Sequence, residues 1–135
     1  MKKPSLTILR VGLGITFLWI GILILKQPEA WAGYISPWAE KLLPLPVKEA
    51  MLGTAILDIV IGALLVLDLV VWLAALLAAL HLIIVLVVSG ITDITVRDIA
   101  ILAAAIALMA DSLPKKFITK IMSWQKQEKP KNNNS

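Results

Sequence analysis

AMLGTAILDIVIGALLVLDLVVWLAALLAALHLIIVLVV, residues Ala50–Val88, is the stretch that decides the fold. It holds no Pro and only two Gly, and its only ionisable residues are Asp58, Asp68 and His81. As one helix it would be ~58 Å long, nearly twice the ~30 Å hydrocarbon layer of a bilayer. The run must therefore turn back on itself. Asp68 is the only charged residue in its middle, and the turn is placed there. Ala50–Leu67 and Leu69–Val88 then read as two membrane spans, with Trp72 as an interfacial anchor.

Two more apolar stretches flank this pair, Ser5–Leu25 and Ile94–Ala110. The apolar fraction of the chain is 59% and the charged fraction 16%, against ~45–50% and ~25% in soluble domains. A water-soluble core in 135 residues has no room for four such stretches. Hydrocarbon leaves backbone groups no outside partner, so the spans should be helices. The alternation of a membrane barrel is absent. The expected fold is all-α: a four-transmembrane-helix bundle over residues 1–112. Residues 113–135 form a basic amphipathic and then disordered tail.

The charges orient the bundle. Lys2 and Lys3 precede the first span, and Lys115, Lys116, Lys120, Lys126, Lys129 and Lys131 follow the last. Lys26, Lys41 and Lys48 between the first two spans are offset by Glu29, Glu40 and Glu49. This bias expects both termini in the cytoplasm, in the cell (cytoplasmic) membrane. An anionic leaflet, rather than nucleic acid, is the expected target of the basic tail. The first apolar run is longer than the core of a signal peptide and reads as a permanent helix. With no cysteine, disulfides, thiol redox chemistry and thiolate metal sites are excluded.

Pro4 suits a helix start. In the long loop, Trp31, Tyr34, Ile35, Trp38, Leu42 and Leu43 recur at helical intervals. They read as a short interfacial amphipathic segment, with a lid over an outward cavity as the sharper alternative. Thr95 and Asp98 have the spacing of a capping box. Phe117, Ile118, Ile121 and Met122 share one face of the tail, with lysines on the other. Lys129–Ser135 reads as disordered. Gly12, Gly14, Gly21, Gly53, Gly62 and Ala103–Ala105 are expected at close helix contacts.

Ionisable residues at membrane depth are the candidates for function. Asp58 lies about halfway along the second span. It is either a proton-carrying or ligand-facing carboxyl, or an interhelical tie. Arg10 either snorkels to the headgroups or turns inward toward Asp58. His81, the only histidine, is a proton relay, a contact for a quinone oxygen, or a buried hydrogen-bonding group. Arg10, Asp58 and His81 are together expected to form one intramembrane polar cluster. Arg97 and Asp98 are placed at the outer mouth, Arg97 chiefly as a headgroup anchor. No metal site and no catalytic constellation is expected, so the chain is read as non-catalytic by itself.

Arg10-x-x-x-Gly14 followed by Gly21 and Lys26, Asp58-Ile-Val-Ile-Gly62-Ala-Leu-Leu, and Arg97-Asp98 together resemble the DoxX-like family of small four-helix membrane proteins. Asp58 stands where Glu is usual in that family. The resemblance implies an accessory subunit of a membrane redox, quinone-linked system, with an oxidoreductase as partner and a quinone as the cofactor to look for. The residues leave two alternatives: a proton-coupled or small-molecule carrier, and a non-catalytic scaffold. Its small size also points to a homo-oligomer.

Overall fold

Helix α1 (Pro4–Lys26) starts where proline allows it, with Pro4 in the first turn and no intrahelical hydrogen bond lost to the missing N–H. The computed structural model describes residues 3–127. Within them α2 (Pro28–Ala32) and α3 (Pro37–Glu40) are single turns in the long connection. They are followed by α4 (Val47–Val66), α5 (Val71–Ser89), α6 (Val96–Ser112) and α7 (Lys115–Gln127). No strand occurs among the described residues. Three helices, α1, α4 and α5, are long and apolar enough to cross a membrane. They also expose Ile8, Ile22, Ile56, Val60, Leu80 and Val87 on their outer sides. A helix apolar on all sides is a membrane helix or a deeply buried one, and these are not buried. At 17 residues, α6 is shorter.

Small residues decide which helices meet. α1 packs most extensively on α4, and α5 on α6. A Cβ on Gly62 would lie 2.7 Å from both Gly14 O and Leu18 N, and one on Gly21 would lie 2.9 Å from Ala55 O. Only glycine permits this approach, and it holds α1 and α4 in one antiparallel register. Gly12 and Gly53 meet nothing within 4 Å; their place is the outer surface, not the helix contact expected for them. On α5 the contact face is Ala74, Ala75, Ala78 and Ala79, all buried, as is Ala105 of α6. Ala103 is exposed, because two residues' rotation carries it off that face.

The turn stands where the sequence demands one. α4 ends at Val66, α5 begins at Val71, and Asp68 (φ 60°) and Val70 (φ 43°) lie between them in the left-handed region. For a β-branched residue such as Val70 that conformation is strained. The expected capping box at Thr95 does not form. The Thr95 hydroxyl instead donates to Gly90 O at 2.6 Å and accepts from Thr92 N–H at 2.7 Å. Thr92 Oγ1 accepts from Thr95 N–H at 3.1 Å in the turn that leads into α6, whose first N–H groups are met by backbone carbonyls. A backbone bond from Ser36 N–H to Val88 O, 3.0 Å, ties the long connection to the end of α5.

α7 has no buried residue. Its Phe117 ring rests 6.2 Å from that of Trp72, at the start of α5. Ile118, Ile121, Met122 and Trp124 stay exposed. The reading of Lys129–Ser135 falls outside the described residues.

Candidate functional site

Arg10 lies in the second turn of α1, opposite the end of α4. Its Nη1 donates to Leu65 O and, at 3.1 Å, to Val66 O. Its Nε lies 3.5 Å from Asp68 Oδ1. The last carbonyls of a helix have no intrahelical donor and carry the negative end of its dipole. A guanidinium set among them satisfies both demands. Only 11% of the Arg10 side chain is exposed, so it turns inward and does not snorkel.

The expected cluster of Arg10, Asp58 and His81 is therefore corrected: it divides in two. The glycine-set register carries Arg10 to Leu65. That residue is seven positions beyond Asp58 (65 − 58), or about 10 Å along a helix. Asp68 takes the place given to Asp58 as the acidic partner of Arg10. The sequence held a signal for this. In an antiparallel pair, a residue near the start of one helix meets the end of the next, and Asp68 is the acidic residue there.

Asp58 and His81 do come together. His81 Nε2 lies 3.2 Å from Asp58 Oδ1, joining α5 to α4. Asp58 retains 4% of its side-chain exposure and His81 12%. The contact has the distance of an ion pair but lacks hydrogen-bond alignment. Asp58 Oδ1 is thus a buried acceptor with no donor directed at it among the described residues.

Both residues line a cavity of about 660 Å³. It occupies the half of the bundle that carries the long connection. Phe17, Ile20 and Ile24 of α1, Thr54 of α4 and Val85 of α5 contribute to its walls. Trp31, Tyr34, Ile35 and Leu43 of the long connection also line it. Sequence periodicity marked these four residues. That they border a cavity is visible only once α1, α4 and α5 are assembled.

Arg97 and Asp98 line the same cavity from the first turn of α6. Arg97 Nε donates back to Ile94 O at 3.4 Å. Asp98 is within electrostatic reach of Arg97, Asp58 and His81. Among the described residues no three His, Cys, Asp or Glu side chains gather closely enough to hold a metal ion. Outside the spans, Lys48 Nζ lies 3.3 Å from Glu29 Oε1. A backbone N–H at Glu29, and then the Lys48 ammonium, hold the Glu29 carboxyl below its usual range.

Helices with apolar flanks, closing on an interior carboxylate–imidazole contact, define a multi-pass membrane protein. The DoxX family profile matches residues 5–91, and the chain belongs to that family. The match takes in Arg10, Asp58 and His81, while Arg97 and Asp98 lie beyond it. Neither the curated proteins nor the solved structures include a match to this chain.

Proposed function

We propose that this protein is an accessory subunit of a membrane redox system, and that its cavity receives the ring of a quinone. The observation that carries this reading is the Asp58–His81 contact in the wall of a largely apolar cavity that Arg97 and Asp98 also line. A volume of about 660 Å³ lies within the roughly 300–1,000 Å³ of small-molecule sites. The His81 imidazole would hydrogen-bond a ring oxygen, and Asp58 would hold the imidazole in place and accept from a ring hydroxyl. The quinone supplies the electron-carrying chemistry. The chain contributes position and proton exchange.

In this proposal α6 is the fourth span. Its 17 residues cover about 25 Å, and α7 then lies along the inner face of the cytoplasmic membrane. Both termini are cytoplasmic, in keeping with the lysines that flank α1 and follow α6. The cavity then opens toward the outer half of the bilayer.

The test is purification of tagged chain in mild detergent, with extraction for bound quinone and analysis of copurifying oxidoreductase. Asp58→Asn should lower the partner's quinone-linked rate while leaving expression and assembly intact. Absence of both quinone and oxidoreductase, with Asp58-dependent solute flux in proteoliposomes, would replace this reading with the carrier. An Asp58→Asn chain that keeps rate, flux and assembly would leave the scaffold.

A further inference from the structure

We infer that the outer cavity binds a neutral, hydroxyl-bearing, single-chain amphiphile, which enters from the hydrocarbon through the seam between α1 and α6. The inference deepens the reading above and rests on its placement of the chain in a bilayer.

The opening is the first observation. Ile15 and Trp19 line the cavity although they are 55% and 65% exposed. Both sit near the middle of α1. A cavity that reaches exposed residues halfway along a membrane helix opens on the flank of the bundle, not only at its end. α6 contributes Ile101 to the same lining. α1 leans on α4 and α6 leans on α5, and the α1–α6 contact is the sparsest of the four around the bundle. At the end nearest the long connection, the Trp31 and Tyr34 rings lie 6.0 Å apart and border the cavity. The side is thus the apolar way in.

The head group follows from the charges. Asp58 and Asp98 both line the cavity, with Arg97 and His81. A ligand carboxylate seated beside Asp58 would add a third anion at low dielectric, which is strongly disfavoured. A permanent cation would meet the Arg97 guanidinium in the same lining. The polar feature beside His81 is an acceptor, the Asp58 carboxylate, which lines the cavity and whose Oδ1 has no aligned donor. A hydroxyl supplies that donor without adding charge, and a hydrogen bond to a carboxylate is among the stronger ones. The alkyl chain then lies against Ile15, Trp19 and Ile101 and continues into lipid.

The probe is dodecanol carrying a diazirine near its chain end, added to the full chain in phosphatidylcholine nanodiscs. Photolabelled residues are mapped by mass spectrometry. Labelling should saturate and fall on residues 15–23 of α1 and on Ile101. Dodecanoate with the same diazirine should label at least about tenfold less, as should Asp58→Leu chain with dodecanol, for loss of a charge-assisted hydrogen bond. Ile101→Trp, which fills the seam and leaves Asp58 in place, should also suppress labelling if Asp58→Leu fails to fold.

Label concentrated on Trp31, Tyr34 and Leu43 would overturn entry from the side. Equal labelling by dodecanoate would overturn the neutral head, and labelling that never saturates would overturn the site. Unlabelled decylbenzoquinol separates this inference from the redox reading. If it fails to compete with saturable dodecanol labelling, the quinone falls and the amphiphile site stands. If it competes while label maps to Trp31–Leu43, the quinone stands and the side entrance falls.

Discussion

The two ends of the bundle each bring a basic side chain to an acidic one, and they treat the contact differently. At the end that carries the α4–α5 turn, Arg10 donates to two α4 carbonyls and faces Asp68. The guanidinium is anchored on those carbonyls and the contact closes the α1–α4 pair, although the buried Arg10 Nε, like Asp58 Oδ1, has no aligned hydrogen-bond partner among the described residues. In the half that carries the long connection, His81 approaches Asp58 to 3.2 Å without a hydrogen-bond alignment, and both line a cavity. A buried acceptor without an aligned donor costs stability. The difference teaches that charge at membrane depth is not one signal. The Arg10 contact covers a helix end, whereas the Asp58–His81 contact borders a cavity.

Arg10→Met should have the largest effect on stability. It removes the side-chain donor to two carbonyls at the end of α4 and leaves Asp68 without that cation, at about 3 kcal/mol. Unfolding titrations in detergent or bicelles would measure it. A loss no greater than that of an exposed substitution would erase the contrast between the ends. Gly62→Ala comes next, at about 2 kcal/mol, because its Cβ would meet backbone atoms of α1 at 2.7 Å. The same titration applies.

Asp58→Asn should change stability by less than about 1 kcal/mol, since it keeps the shape and removes no aligned hydrogen bond. If it costs as much as Arg10→Met, the Asp58–His81 contact is structural like that of Arg10.

The smallest effect belongs to Glu29 and Lys48, which are both exposed and screened by salt. The Glu29 carboxyl is held below its usual range. Its contribution is therefore complete above the ordinary Glu value of about 4.3 and is lost as pH falls through the lowered one. Unfolding midpoints followed downward from pH 5 should show a small decline that Glu29→Gln abolishes. An identical pH profile for Glu29→Gln would mean that the pair contributes nothing.

Much of the architecture was readable before any coordinates. The length of Ala50–Val88 forced a turn, and Asp68 marked it. Pro4 opens a helix, as its place before the first apolar run suggests. Asp58 and His81 were identified as interior groups because hydrocarbon gives a lone charge no other refuge. Less was readable where partners are distant in sequence. The pairing of Arg10 with Asp68 and the α4 carbonyls spans more than fifty residues. The loss of the Thr95 cap depends on its hydroxyl reaching back to Gly90 O.

Composition and hydropathy by themselves determined that this chain lives among lipids as apolar helices, because a short polymer this rich in apolar residues has no other solvent. Tertiary structure alone decided which charges meet. Register between helices is set by where glycine lets backbones touch, at Gly14, Gly21 and Gly62. That register, acting through a rise of about 1.5 Å per residue, carries Arg10 to one end of α4 and leaves Asp58 to His81.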